Sequence, residues 1–311
     1  MRKIIFTLLF LLLASEFAEA QVRRRRTTFS SVSQRRGQVS FFLGGGLASY
    51  YGDLKAGVPL WAKPSITGGA MYRVHPHVSL RAEALWYRIT GDDSRNEIDN
   101  TIYYRNLSFQ ADNFEASFQV LGYAFDKYSR FNRAVLNPYM FAGLGFTTNN
   151  PKAQYSNGEY YSLRELATER TSASSDPLYG PVAMVVPFGM GVTFYGIRAV
   201  DISIEGGVRY TTTDYLDDAS TNYADPSLFG ASQEEQKALY FSDRRQKSSG
   251  PFTSPGNPYY DIAYKGNKYR GDPTDNDWYF VSSIKVVYVP GASTGGTRKR
   301  GGRLRRPKFN P

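Results

Sequence analysis

The segment VSLRAEALW spans Val78–Trp86, and its reading decides the fold. Val78, Leu80, Ala82, Ala84 and Trp86 fall on one side of an extended chain, and Ser79, Arg81 and Glu83 fall on the other. Successive side chains of a strand point to opposite faces, so this period of two marks a strand with one apolar face. The same alternation recurs in three other places. Phe114, Ala116, Phe118 and Val120 oppose Glu115, Ser117 and Gln119. Val200, Ile202, Ile204 and Val208 oppose Asp201, Ser203, Glu205 and Arg209, and Phe280, Ile284, Val286 and Tyr288 oppose Ser283 and Lys285.

Working outward, eight strands are expected, at 38–49, 65–75, 77–89, 109–125, 138–148, 184–196, 199–210 and 277–288. Their connections alternate in length. Those at 75–77, 125–137 and 195–199 are short, and those at 50–64, 90–108, 149–183 and 211–276 are long. Aromatic residues cluster near strand ends: Tyr50, Tyr51, Trp61, Trp86, Tyr87, Tyr103, Tyr104, Trp278 and Tyr279 on the long-loop side, and Tyr72, Tyr123, Phe125, Tyr195 and Tyr288 on the other. A soluble sandwich would show the same alternation. Strand number, loop alternation and aromatic girdles together favour an all-β fold, an eight-stranded antiparallel transmembrane β-barrel with long extracellular loops and short periplasmic turns. Lipid satisfies no backbone polar group, so the sheet must close. The last strand, WYFVSSIKVVY, is expected to pair with QVSFFLGGGLAS, with Gly44–Gly46 as a bend or bulge.

The compartment follows from the start of the chain. Arg2 and Lys3 precede an apolar run, Ile4–Ala14, and Ala18-Glu19-Ala20 has the small-x-small form of a cleavage site. Residues 1–20 read as an export signal, since the run is shorter than the roughly twenty residues of a spanning helix. The domain expectation is a signal peptide at 1–20, a basic segment at 21–37, the barrel at 38–288 and a basic tail at 289–311.

The 311 residues carry a net charge of +10, unevenly placed. Arg23, Arg24, Arg25, Arg26, Arg35 and Arg36 precede the barrel, and Arg298, Lys299, Arg300, Arg303, Arg305, Arg306 and Lys308 follow it. Those thirteen cations exceed the total, which leaves 38–288 at −3. Such clusters match the electrostatic footprint of a nucleic-acid binder, but export removes that partner. Eight strands with this loop alternation place both termini in the periplasm. There the tails meet acidic protein surfaces, peptidoglycan carboxylates and lipid headgroups. The plain alternative is a solvated tail that only aids topology.

The inward charges nearly cancel: Arg73, Arg81, Arg209 and Lys285 against Glu83, Glu115, Asp201 and Glu205. An eight-stranded barrel is just wide enough inside for side chains, so these read as a structural ion-paired plug, with a pore as the alternative. No catalytic, cofactor or metal site is expected. The two histidines, His75 and His77, flank one proline at a short turn, and there is no cysteine. Catalysis would want a histidine at the outer rim, beside a nucleophile or a water-activating acid. The acidic pairs at 91–93, 217–218 and 272–277 lack the spacing of a calcium loop and read as solvated loop chemistry. The loop 211–276 reads as an external contact surface or a partly disordered segment.

Several segments together resemble a known group: ASYYGDLK (48–55), PSITGGAMYRVHPHVSLRAEALWYRITGDDS (64–94), RNLSFQADNFEASFQ (105–119), LNPYMFAGLGFTTNNP (136–151) and DNDWYFVSSIKVVY (275–288). They are similar to the PorG-like family of small outer-membrane barrels of the type IX secretion machinery. The resemblance implies a non-enzymatic barrel that contacts periplasmic ring subunits and supports protein export and, in gliding bacteria, motility. It transfers no catalytic residues and does not extend to the basic tails. The competing functional classes are a small porin or transport barrel, an outer-membrane hydrolase or acyltransferase, and a soluble exported binding barrel.

Overall fold

The computed structural model describes residues 37–54, 62–95, 103, 105–125, 136–172, 174, 176–195, 199–245 and 270–290. The expected signal and both basic segments, with Trp61 and Tyr104, lie outside them. The strands are β1 (Gln38–Tyr51), β2 (Lys63–His75), β3 (Val78–Asp92), β4 (Ser108–Tyr123), β5 (Leu136–Thr148), β6 (Lys152–Gln154), β7 (Tyr160–Ser162), β8 (Val182–Phe194), β9 (Val200–Thr211) and β10 (Trp278–Tyr288). Among the described residues the α-helices are α1 (Leu163–Leu166) and α2 (Gln233–Ser242).

Eight of these strands close on themselves. The hydrogen-bonded order is β3-β2-β1-β10-β9-β8-β5-β4, and β4 pairs back onto β3. Every pairing in the ring is antiparallel. The first and last strands form one seam, from Phe41 opposite Tyr288 to Tyr51 opposite Trp278. Closure leaves no unpaired edge within the ring, which is the condition for crossing hydrocarbon.

The direction of the two faces separates a barrel from a sandwich. Leu43 and Met140 are each 67% exposed, and Phe114, Phe118, Leu144 and Ile284 also point outward from the wall. Arg81, Arg209, Glu83, Glu205 and Lys285 are buried inside. A water-soluble sandwich buries its apolar face and hydrates its charges. This molecule does the reverse: exposed apolar side chains line the outside and the buried charges stand inside, so it is a transmembrane barrel.

The glycine run in β1 is not a bulge. β1 pairs in unbroken register with both β10 and β2. A Cβ at Gly46 would lie 1.8 Å from the Ser282 carbonyl oxygen, and one at Gly44 would lie 2.8 Å from Lys285 Cγ. These inward positions stay bare so that the seam can close and Lys285 can cross the lumen. Within β2 and β3, the register shifts between Arg73 and His75, beside the short turn.

The long connections differ most from expectation. Rather than staying in solvent, their described parts fold over one end of the barrel. β6 and β7 form a hairpin that joins β4 at Gln110 opposite Lys152. α2 begins at Ser232, whose hydroxyl accepts from the Glu235 amide at 3.3 Å, an ordinary N-cap. Leu54, Leu163, Leu216 and Phe241 from these loops pack on Leu85, Ile89 and Phe109 from the strands in one core. Burial of this apolar set is what fixes the loops as a cap.

Candidate functional site

The barrel interior is held by six charged side chains from four strands. Arg81 and Glu83 on β3 alternate inward with Tyr87, and Glu115 follows on β4. Glu205 and Arg209 stand on β9, and Lys285 on β10. Arg81 Nη1 reaches Glu205 Oε2 at 2.7 Å, and Arg81 Nε lies 3.0 Å from Glu83 Oε2. Lys285 Nζ bridges Glu83 Oε2 at 2.8 Å and Glu205 Oε1 at 2.5 Å. Arg209 stands 3.8 Å from both Glu83 and Glu115. Three cations meet three anions, so the cluster is neutral.

Neutral neighbours add hydrogen bonds, although Glu115 Oε1 and Arg209 Nε have no hydrogen-bond partner. Thr67 donates to Glu83 at 2.9 Å, Tyr139 to Glu205 at 2.7 Å, and Tyr279 to Glu115 at 2.7 Å. Arg81 Nε also donates to Gln119 Oε1 at 2.9 Å, and its guanidinium lies 4.7 Å from the Phe141 ring centre. Buried charges persist only when paired and hydrogen-bonded in this way.

Two predicted lumen residues lie apart from this cluster. Arg73, half-buried at the short-turn end, donates to the Pro76 carbonyl at 2.8 Å and sits 4.6 Å over the Tyr123 ring. Asp201 is buried at the same end. Both line a cavity of about 30 Å³ with Gln38, Ser203 and Tyr195. That is room for one or two waters, not for a solute. His75 and His77 flank this turn with ring centres 5.9 Å apart, and the His77 ring nitrogen meets the Tyr123 carbonyl at 3.1 Å. Among the described residues no group of three or more His, Asp or Glu is placed to hold a metal.

At the other end the acidic loop segments, expected to be solvated, instead join a second, buried polar network. Arg105 grips Asp93 with two bonds of 2.7 and 2.8 Å and donates to the backbone oxygens of Asp53 and Arg270, each at 2.7 Å. Arg270 pairs with Glu169 at 3.0 Å and Asp218 at 3.1 Å. Arg170 pairs with Glu235 at 2.8 Å and lies 4.4 Å over the Phe229 ring. Glu169 also accepts from the Ser220 and Thr221 amides at 3.0 and 2.8 Å. Irregular loops have no ladder partners, so carboxylates take their amide hydrogens instead. Burial pushes Asp53 up to about 6, Asp214 to about 7 and Asp217 to about 8.

The girdle expectation needs correction at four positions. Tyr50, Tyr87 and Tyr279 point inward and are fully buried, with Tyr87 and Tyr279 stacked at 4.3 Å. Tyr51 and Trp278 do lie on the outer wall, stacked at 4.1 Å and 5°. Tyr123 also turns inward, whereas Tyr72 and Tyr288 remain exposed.

No family model matches the chain, and no curated protein matches it. Solved structures similar in architecture include the Neisserial surface protein A, with a TM-score of 0.38 and 10% identity over 80% of this chain and 96% of that one. The attachment invasion locus protein of Yersinia pestis gives 0.37 and 9% over 82% and 99%. The N-terminal β-barrel domain of Pseudomonas aeruginosa OprF gives 0.35 and 9% over 81% and 99%. At these values the fold stands on its own strand pairings and on its inverted faces, not on the likenesses.

Proposed function

We propose that this is a non-enzymatic outer-membrane barrel that acts as an anchor or assembly subunit of the type IX protein secretion machinery. The observation that carries the reading is the filled lumen. A barrel whose bore is occupied by Arg81, Glu83, Glu205 and Lys285 under a packed cap has no path for a solute. Its work then lies at its rims and in whatever the tails touch. The export signal in 1–20 and the apolar wall favour the outer membrane. The secretion role itself rests on the resemblance of segments 48–55, 64–94, 105–119, 136–151 and 275–288.

In this reading the barrel seats in outer-membrane lipid, with both termini in the periplasm. The cationic segments, Arg23–Arg36 and Arg298–Lys308, would dock on acidic faces of periplasmic ring subunits, with peptidoglycan as a second anionic surface. Such docking weakens as salt rises, because exposed charges are screened over about 8 Å at physiological ionic strength. Deleting the gene tests the role directly. The expected result is lost export and surface attachment of cargo proteins. Unchanged export and attachment would end the secretion reading while leaving the barrel intact.

A further inference from the structure

The motif Tyr50-Tyr51-Gly52-Asp53-Leu54 ends β1 beneath the cap, and its hydrogen bonds do not balance with ionised carboxylates. The Tyr50 hydroxyl lies 2.7 Å from Asp217 Oδ2 and 2.5 Å from Asp277 Oδ1. A phenol has one hydrogen to donate. It can satisfy one carboxylate. The other contact is a hydrogen bond only if that carboxyl keeps its own proton and donates it to the phenol oxygen.

The remaining bonds show which carboxyl holds it. Asp217 Oδ2 also accepts from the Leu54 amide at 3.0 Å, and Asp217 Oδ1 accepts from the Ala219 amide at 2.9 Å. Asp277 Oδ2 accepts from the Leu216 amide at 2.8 Å, while its Oδ1 meets the Tyr50 hydroxyl. Asp217 is therefore suited to be the anion, and Asp277 Oδ1 to carry the hydrogen. We propose that a single proton shared through Tyr50 latches the cap to the barrel, so that the cap is closed in mild acid and loosens as the solution becomes alkaline.

The surroundings support this. Around the trio stand Asp53 from the end of β1, Asp214 and Asp218 from the loop after β9, Asp272 before β10 and Glu169 after α1. The nearby cations are already engaged, Arg105 by Asp93 and Arg270 by Glu169 and Asp218. Burial raises Asp277 well above the ordinary carboxylate range, and the neighbouring Asp217 charge adds to it. Gly52 fits the same geometry: a Cβ there would lie 1.8 Å from Asp277 Oδ1 and 2.0 Å from the Tyr50 oxygen. The trio titrates as one unit, and its folded proton affinity exceeds that of free aspartates. The latch is therefore complete below the ordinary aspartate range, about pH 4, and is lost as pH rises through the raised value of the Asp277 carboxyl.

Hydrogen exchange of the full-length protein in lipid nanodiscs reads the latch. The quantity is the protection of peptides covering 214–219, corrected for intrinsic exchange, between pH 5 and 8. Protection should fall by at least about tenfold per pH unit, while β4 peptides stay level. Asp277→Asn supplies a permanent donor to the phenol and keeps an acceptor for Leu216. It should lower that slope by about tenfold per pH unit, with Asp53 and Asp214 accounting for what remains. Level protection in the unmodified protein, or the same slope in both proteins, would overturn the proposal. If D277N fails to assemble, as judged by heat-modifiable mobility, the unmodified protein's profile decides alone.

Discussion

Arg81 on β3 and Glu205 on β9 meet at 2.7 Å across the lumen, between strands that are not neighbours in the ring. A contact across the bore cannot coexist with an open bore. Lys285 joins the same carboxylate from β10, so Glu205 holds two cations at once.

Replacing Glu205 should therefore be costly. Glu205→Ala leaves Arg81 and Lys285 with Glu83 as their one remaining shared anion and the cluster one cation in excess, and a broken buried pair costs roughly 3–5 kcal/mol. Urea unfolding from lipid vesicles should show that loss. Adding Arg81→Met alone to the same protein should recover part of it, because Lys285 and Arg209 are then matched by Glu83 and Glu115. No recovery would mean Arg81 matters for more than pairing.

The outer wall gives an independent check. Ile284 faces outward near the middle of β10. Ile284→Arg should destabilise the inserted barrel by about 2–4 kcal/mol, since a charge at the bilayer midplane is expensive. In detergent, where the side chain reaches water more easily, the cost should shrink. Equal small effects in both settings would argue against a lipid-facing wall.

The seam between the first and last strands is equally specific. Gly46→Ala would place a methyl group on the Ser282 carbonyl, and the strands would have to part. Assembly yield, read as heat-modifiable mobility, should drop sharply. Gly45→Ala, where the nearest atom is 3.7 Å away, should assemble normally and serves as the control.

The cap should fail separately from the barrel. Arg270→Met leaves Glu169 and Asp218 buried without their cation, at a cost of about 3 kcal/mol or more. Protease should then cut between 212 and 245 while the strands stay protected. Loss of the whole barrel would show that cap and wall fold as one unit.

The strands were legible because lipid outside and polar packing inside impose a period of two on every wall. The first strand's start at 38 and the last strand's end at 288 follow that pattern, and the seam partner of β1 follows from the need to close the sheet. Parity also held the signal for the misread tyrosines. Tyr87 shares odd numbering with Arg81 and Glu83, and Tyr279 with Lys285, so both belong to the inward set. The cap was not legible. Its order comes from carboxylates such as Glu169, Asp217 and Asp277 bonding loop amides far away in sequence, and such bonds leave no periodicity. Pairs of aspartates at 217–218 and 272–277 look the same whether solvated or buried. What marked the spot was YYGDL, whose glycine and tyrosine meet in the latch.

Single-channel recording in planar bilayers tests the central claim of a closed barrel most directly. Purified, assembled protein should insert without steady ionic currents, because the Arg81–Glu205–Lys285 cluster and the cap leave no water path. Long-lived, stepwise conductance that scales with the number of inserted barrels would contradict it, and the molecule would then be a pore.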